Sequence, residues 1–231
     1  MQTLENKVII YDDVCPLCQA YTGAFIKMGW LHSRSGFAES SPTLLAQIDL
    51  DRARHEIPLH DTQTGETLYG LDALFLILGT KLPWCRPLFR QAWFRAAVRQ
   101  LYQLITYNRR IIAGSRPPQE GFDCAPDANL FYQRLYVGVA GALTALVLWN
   151  NRADWTPALL VLALVNAALL LYGCWKAARP LVFAGHWATV GLLQVVLWAI
   201  SPIAAAGVPL AAALGLWCWG KRWDLATQRE V

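Results

Sequence analysis

The chain has 231 residues, 55% of them hydrophobic and only 16% charged, with a net charge of +4 and a mean hydropathy of +0.30. Ordinary soluble domains are about a quarter charged, so this composition excludes disorder, coiled coil and collagen. Charge is also uneven: residues 1–80 carry a net −5, residues 81–130 a net +5 and residues 131–231 a net +4, the last in a block dominated by Leu, Ala, Val and Trp. The pattern predicts a polar N-terminal unit (1–128), whose last part is a basic connector, and a membrane-embedded C-terminal unit (129–231). The opening MQTLENKVIIYDD has no apolar run of signal-peptide length, which places the N-terminal unit in the cytosol. Six cysteines, at 15, 18, 85, 124, 174 and 218, are too scattered for a disulfide scaffold. In a reducing compartment, a close cysteine pair reads as redox or metal chemistry.

In chain order, Lys7–Asp12 (KVIIYD) predicts a buried strand. A short loop, Asp13–Val14, leads to Cys15-Pro16-Leu17-Cys18, which opens an amphipathic helix running to about Leu31; Pro16 suits a first helical turn. Gly36–Glu39 predicts a weak second strand, Ser41-Pro42 caps a short helix over 43–47, Glu56–Thr62 and Thr67–Gly70 form a hairpin, and Leu71–Leu78 a helix. The order β-α-β-α-β-β-α is that of a thioredoxin-like α/β domain with a CxxC at the first strand-to-helix junction. Cys15 lies at the helix N-terminus, where the dipole and free N–H groups lower a thiol pKa. It is the expected exposed nucleophile, and Cys18, one turn further in, the sheltered resolving thiol. The charges of Asp12 and Asp13 oppose the thiolate and predict a less depressed pKa and a reducing bias; an aspartate here is also placed to relay a proton to Cys18. The alternatives for the pair are a soft-metal site for Cu, Zn or Hg and a chance structural arrangement. The lack of Met or His beside the motif weighs against metal, and no cofactor is expected.

These residues resemble the DCC-family thiol-disulfide oxidoreductases, a thioredoxin-like family that opens with a strand followed by Asp-Gly-x-Cys-x-x-Cys. The chain has Asp12-Asp13-Val14-Cys15-Pro16-Leu17-Cys18 there, with Asp13 in place of the glycine. Gly65–Gly79 (GETLYGLDALFLILG), Tyr107-Asn108-Arg109-Arg110 and Asp123-Cys124-Ala125-Pro126 are also similar, so that the resemblance covers about residues 6–126. It implies protein-disulfide reduction with a thiol or disulfide protein as partner. Thioredoxin-like domains place a cis-proline before the hairpin strand, facing the CxxC. Pro58 stands at that point, and cis and the commoner trans bond are both open. Cys124 is a candidate third redox thiol or an incidental cysteine; Cys85 has no partner at motif spacing.

The connector Pro87–Ile112 predicts one long helix in which arginines (90, 95, 99, 109, 110) interleave with aromatics. It suits either an anionic membrane surface or the domain core with a solvated arginine face. Nucleic-acid binding is not expected, because the same domain carries the acidic half. Four apolar stretches follow, at Phe131–Trp149, Pro157–Tyr172, Leu181–Ile200 and Ile203–Trp219. They predict an all-α, four-helix transmembrane bundle in contact with the lipid bilayer, with tryptophans near the stretch ends as an aromatic belt. Arg134, Lys176, Arg179, Lys221 and Arg222 mark one side. Arg152, balanced by Asp154, and the Ser201-Pro202 turn mark the other. Both termini are therefore expected in the cytoplasm. Cys174 and Cys218 read as apolar fillers or, at the cytosolic ends of their helices, as relay thiols. His186, Asn166 and Gln194 are polar groups at lipid depth, expected to hydrogen-bond between helices. The reading is a membrane-anchored protein-disulfide reductase. The other classes are a soft-metal transfer protein and a membrane scaffold whose thioredoxin-like domain recruits a partner.

Overall fold

The computed structural model describes residues 4–116, 118, 122–151, 156–200 and 204–227. Arg152, Asp154 and the Ser201-Pro202 turn, which mark one membrane side above, lie outside them. The chain divides into two compact units, Met1–Ala128 and Asn129–Val231.

In the first unit, β1 (Lys7–Tyr11) leads into α1 (Pro16–Lys27), followed by β2 (Ser33–Gly36), α2 (Pro42–Leu45), α3 (Leu50–His55), the hairpin β3 (Pro58–Asp61) and β4 (Thr67–Tyr69), and α4 (Gly70–Lys81). The sheet order is β2-β1-β3-β4. The β1–β2 pair is parallel, as a crossover through α1 requires, and β3 runs antiparallel to both β1 and β4. Successive side chains of a strand face opposite ways, and β1 is central, so both of its faces are apolar. Ile9 packs with Phe25, Leu31, Leu59, Ala73 and Ile77, while Ile10 packs with Phe37, Ile48, Ala53 and Cys124. This is the expected thioredoxin-like sheet, with three local corrections. The second strand is Ser33–Gly36 rather than 36–39, because its register is set by pairing with Val8–Tyr11. A further helix, α3, sits where none was expected; Asp49 caps it by accepting the Arg52 N–H at 3.0 Å. The connector is broken into α5 (Arg86–Phe89) and α6 (Ala92–Ala113). Gln91 between them is extended, and Phe75, Phe89 and Phe94 form an aromatic cluster that requires the chain to turn back onto α4. No glycine or proline marks that break.

The second unit is all-helical: α7 (Leu130–Asn150), α8 (Pro157–Lys176), α9 (Pro180–Ile200) and α10 (Ala204–Thr227), with α9 packed on the other three. Asn129 and Thr156 cap α7 and α8 through their side chains. Among the described residues, three helices, α7, α8 and α9, are long and apolar enough to cross a membrane, rather than the four expected. The fourth stretch is helical, but Gly, Trp and Pro209 replace much of the Leu and Val of the others, and it ends in Lys221, Arg222 and Asp224. The aromatic belt is also only partial. Trp149, Trp175 and Trp217 are exposed, whereas Trp198 and Trp219 are buried between helices. Trp219 stacks on Phe183 at 5.2 Å between ring centres. Phe183 in turn lies against Gly173, where a Cβ would fall 1.8 Å from its ring; only glycine lets α8 and α9 approach so closely. Cys218 is buried in this same cluster and Cys174 packs at its edge, as fillers would.

The dithiol site

The turn after β1 is built by its own aspartates. Asp12 Oδ1 accepts the Val14 N–H at 3.2 Å, and the Asp12 carbonyl accepts the Cys15 N–H at 3.2 Å. Asp13 points elsewhere. Its Oδ2 accepts the Ala38 N–H at 3.0 Å, and its side chain lies so close to Gly36 that a Cβ there would meet it at 3.0 Å. Asp13 therefore anchors the loop after β2. Pro16 occupies the first turn of α1, and Cys15 is its N-cap residue.

Cys15 and Cys18 are free thiols close to one another, within hydrogen-bonding reach. The Cys18 thiol and its N–H both donate toward Cys15 and hold that thiol down at about 6, against the opposing effects of burial and Asp12; Arg109 adds to the lowering. Donating to Cys15, together with burial, pushes the Cys18 thiol far up. The geometry therefore separates the two sulfurs into a thiolate and a thiol. The less depressed thiol expected from Asp12 and Asp13 is not what the structure gives: the hydrogen bonds from Cys18 outweigh the aspartate charge, and they are helped by Arg109. Its Nη2 lies 3.2 Å from Asp12 Oδ2, with the two side chains 14% and 4% exposed. That ion pair lacks hydrogen-bond geometry, but it places a buried cation beside the dithiol. Burial pushes the Asp12 carboxyl up, and Arg109 only partly offsets it.

Accessibility also differs from the expectation. Cys15 is 0% exposed and Cys18 6%. Cys18, not Cys15, lines an apolar cavity of about 360 Å³ together with Tyr21, Pro58, Tyr102, Arg109 and Cys124. Pro58 opens β3 and shares this cavity, and its bond to Ile57 is trans. Cys124 is buried, and burial pushes its thiol well up, so it is held protonated. The segment carrying it is fastened by three arginines: Arg109 donates to the Cys124 carbonyl, Arg110 pairs with Asp123, and Arg54 Nε donates to the Ala125 carbonyl at 3.2 Å. Arg109, Tyr21 and Tyr102 were missed as site residues. The signal for Arg109 lay in the Tyr107–Arg110 run, but nothing in the sequence says that α6 folds back to the dithiol. Among the described residues, no group of three or more His, Cys, Asp or Glu is placed to hold a metal ion.

A four-stranded thioredoxin-like sheet with a CPxC at the start of its first helix, one thiol lowered and the other raised, is the architecture of a thiol-disulfide oxidoreductase. Residues 9–115 match the model of the DCC1-like thiol-disulfide oxidoreductase family, and this segment is a domain of that family. The match runs from within β1 to just past α6, including Arg109, and ends before Cys124. No curated protein and no solved structure matches the chain.

Proposed function

We propose that the protein is a membrane-anchored protein-disulfide reductase that works through Cys15 and Cys18, with residues 1–128 as the redox domain and residues 129–231 as the membrane domain. The observation that carries this reading is the split of the pair into a low thiol at Cys15 and a high one at Cys18. The Cys15 thiolate attacks a partner disulfide and forms a mixed disulfide, releasing one partner thiolate, which takes up a proton. The Cys18 thiol then loses its proton and attacks Cys15 Sγ. This releases the second partner thiol and leaves the Cys15–Cys18 disulfide: two electrons have passed to the partner. Pro16 starts the helix that holds the pair, Asp12 orders the turn and holds Arg109, Asp13 braces the loop after β2, and Pro58 forms one wall beside Cys18. Cys124 serves as a third thiol only after its carbonyl leaves Arg109. The test is reduction of insulin disulfides by the full chain, with dithiothreitol as electron donor and metal content assayed on the same sample. Turnover that disappears in the Cys15→Ser, Cys18→Ser double variant is expected. An inactive wild type carrying stoichiometric Cu or Zn would instead establish the metal reading.

The N-terminal unit and the C-terminus are assigned to the cytoplasm. The support is basic: Arg134 in α7, Lys176 at the end of α8, Arg179 before α9, and Lys221 and Arg222 late in α10. Reporter fusions after Thr227 should give a cytoplasmic signal and insertions at Thr156 the opposite one. The reverse pattern, or the same signal at both, refutes the assignment.

A further inference from the structure

At the corner where α5 turns into α6, neighbouring side chains serve opposite ends. Phe89 stacks on Phe75 at 4.7 Å between ring centres, and Phe94 lies 6.1 Å from Phe89; all three are half-buried against one another. Trp93 is not. Its ring meets that of Phe94 edge-on at 5.8 Å, yet it is 66% exposed, and Trp84 and Leu88 are exposed as well. From Trp93 the apolar surface continues along α6 at a spacing of one helical turn, through Ala97, Leu101 and Ile105, all of them exposed.

Cations stand beside this surface. A groove of about 350 Å³ opens over Phe75 and Phe89, and Arg86, Arg90 and Arg95 line it with no acidic residue among them. Arg95 lies over the Phe75 ring and pairs with Asp72, and Arg86 Nε donates to the Gly79 carbonyl at 2.6 Å. Arg90 is exposed and, among the described residues, has no ion-pair partner. Exposed apolar surface of this extent marks a place of interaction. Tryptophan and leucine flanked by arginine suit the boundary between headgroups and acyl chains, where an indole sits half in each phase and every basic residue is drawn to an anionic leaflet. The tether supports the same occupant. Residues 114–129 are all that separates α6 from α7, and fully extended they reach at most roughly 60 Å. On an inserted chain the redox domain therefore stays near the bilayer.

We infer that the α5–α6 corner docks on an anionic bilayer surface, with Leu88 and Trp93 entering the headgroup boundary and Arg86 and Arg90 pairing with lipid phosphates. The inference rests on the membrane reading but not on the thiol chemistry. It divides the connector between its two expected roles: the phenylalanines close the domain, and Trp93 with the arginines faces lipid.

The test places the photo-crosslinker p-benzoylphenylalanine at Trp93 of the full chain, in nanodiscs of phosphatidylcholine mixed with phosphatidylserine, and reads lipid adducts by mass spectrometry. The control position is Gln47, exposed just after α2 on the opposite face of the sheet. Adducts at 93 should exceed those at 47 by at least about fivefold, the weight of one basic residue at an anionic surface. Arg90→Gln, pure phosphatidylcholine or high salt should each lower the yield at 93 by a comparable factor. Equal yields at the two positions, a yield at 93 indifferent to lipid charge and to Arg90→Gln, or a crosslinked dimer of the chain in place of lipid adducts overturns the docking surface. Insertion is checked separately by resistance of the membrane-bound chain to carbonate extraction. A chain that inserts without selective adducts refutes the docking alone, whereas an extractable chain refutes the membrane reading beneath it.

Discussion

Cys18→Ser is expected to accumulate a mixed disulfide with its protein partner, and Cys15→Ser is not. The prediction sets activation against access. Cys18 faces the cavity while Cys15 is fully covered, so access alone would make Cys18 the attacker. Activation points the other way. With its thiol at about 6, Cys15 is roughly 90% thiolate at pH 7, against roughly 1% for a thiol at 9. The lower basicity takes back roughly 20-fold of that advantage, leaving a net gain of a few-fold. Cys18, pushed up by its bond to Cys15 and by burial, is essentially never a thiolate while Cys15 remains reduced. Both single variants should lose turnover by at least about a hundredfold, since neither can complete the exchange. Only the one that keeps Cys15 should hold a covalent adduct, read by non-reducing electrophoresis and mass spectrometry. An adduct on Cys18 in Cys15→Ser, with none in Cys18→Ser, would reverse the assignment. The thiolate absorbance near 240 nm supplies a second readout: its midpoint should lie near pH 6 in the wild type and vanish from that range in Cys15→Ser.

The second large effect belongs to Arg109. Its removal leaves the Asp12 carboxylate, 4% exposed, without its countercharge. It also frees the carbonyl of Cys124. Breaking a buried pair from one side costs about 3–5 kcal/mol. Arg109→Gln is expected near the low end, because Asp12 can take up a proton. The sign of the pH dependence follows. Burial already raises Asp12, and loss of Arg109 raises it further. A carboxyl whose folded pKa lies above the unfolded value favours the folded state in acid and loses that contribution as pH rises through the carboxylate range. Denaturant titrations should therefore show a deficit that is small near pH 4 and grows toward pH 7. The same substitution should move the Cys15 midpoint upward, because Arg109 helps to lower it, while Asp12→Asn should move it downward. A stability loss with an unchanged Cys15 midpoint would make Arg109 a structural brace and nothing more.

Much of the site was legible in the chain because its logic is local. A β-branched run followed by CPxC places two thiols at a strand-to-helix junction; Pro16 starts the helix, and the turn is closed by Asp12 two residues before Val14. The helices of the second unit are equally local, since a run of about 20 apolar residues writes its own span. By itself the sequence determined the dithiol, the sheet-and-helix order around it and the apolar C-terminal block. Only the tertiary structure decided what the dithiol's environment is. Arg109 lies 97 positions after Asp12 in the chain, yet α6 turns after Gln91 and brings it to Asp12, because Phe75, Phe89 and Phe94 cluster.

 The separation that matters is the one between Asp12 and Arg109, which no local pattern bridges; the ion pair exists only once the aromatic cluster has folded α6 back. The same holds for the burial of Cys15 and for the three arginines that fasten the Cys124 segment. Each depends on which surfaces meet at long range, and a charge or a thiol takes its pKa or its partner from those surfaces rather than from its neighbours in the chain.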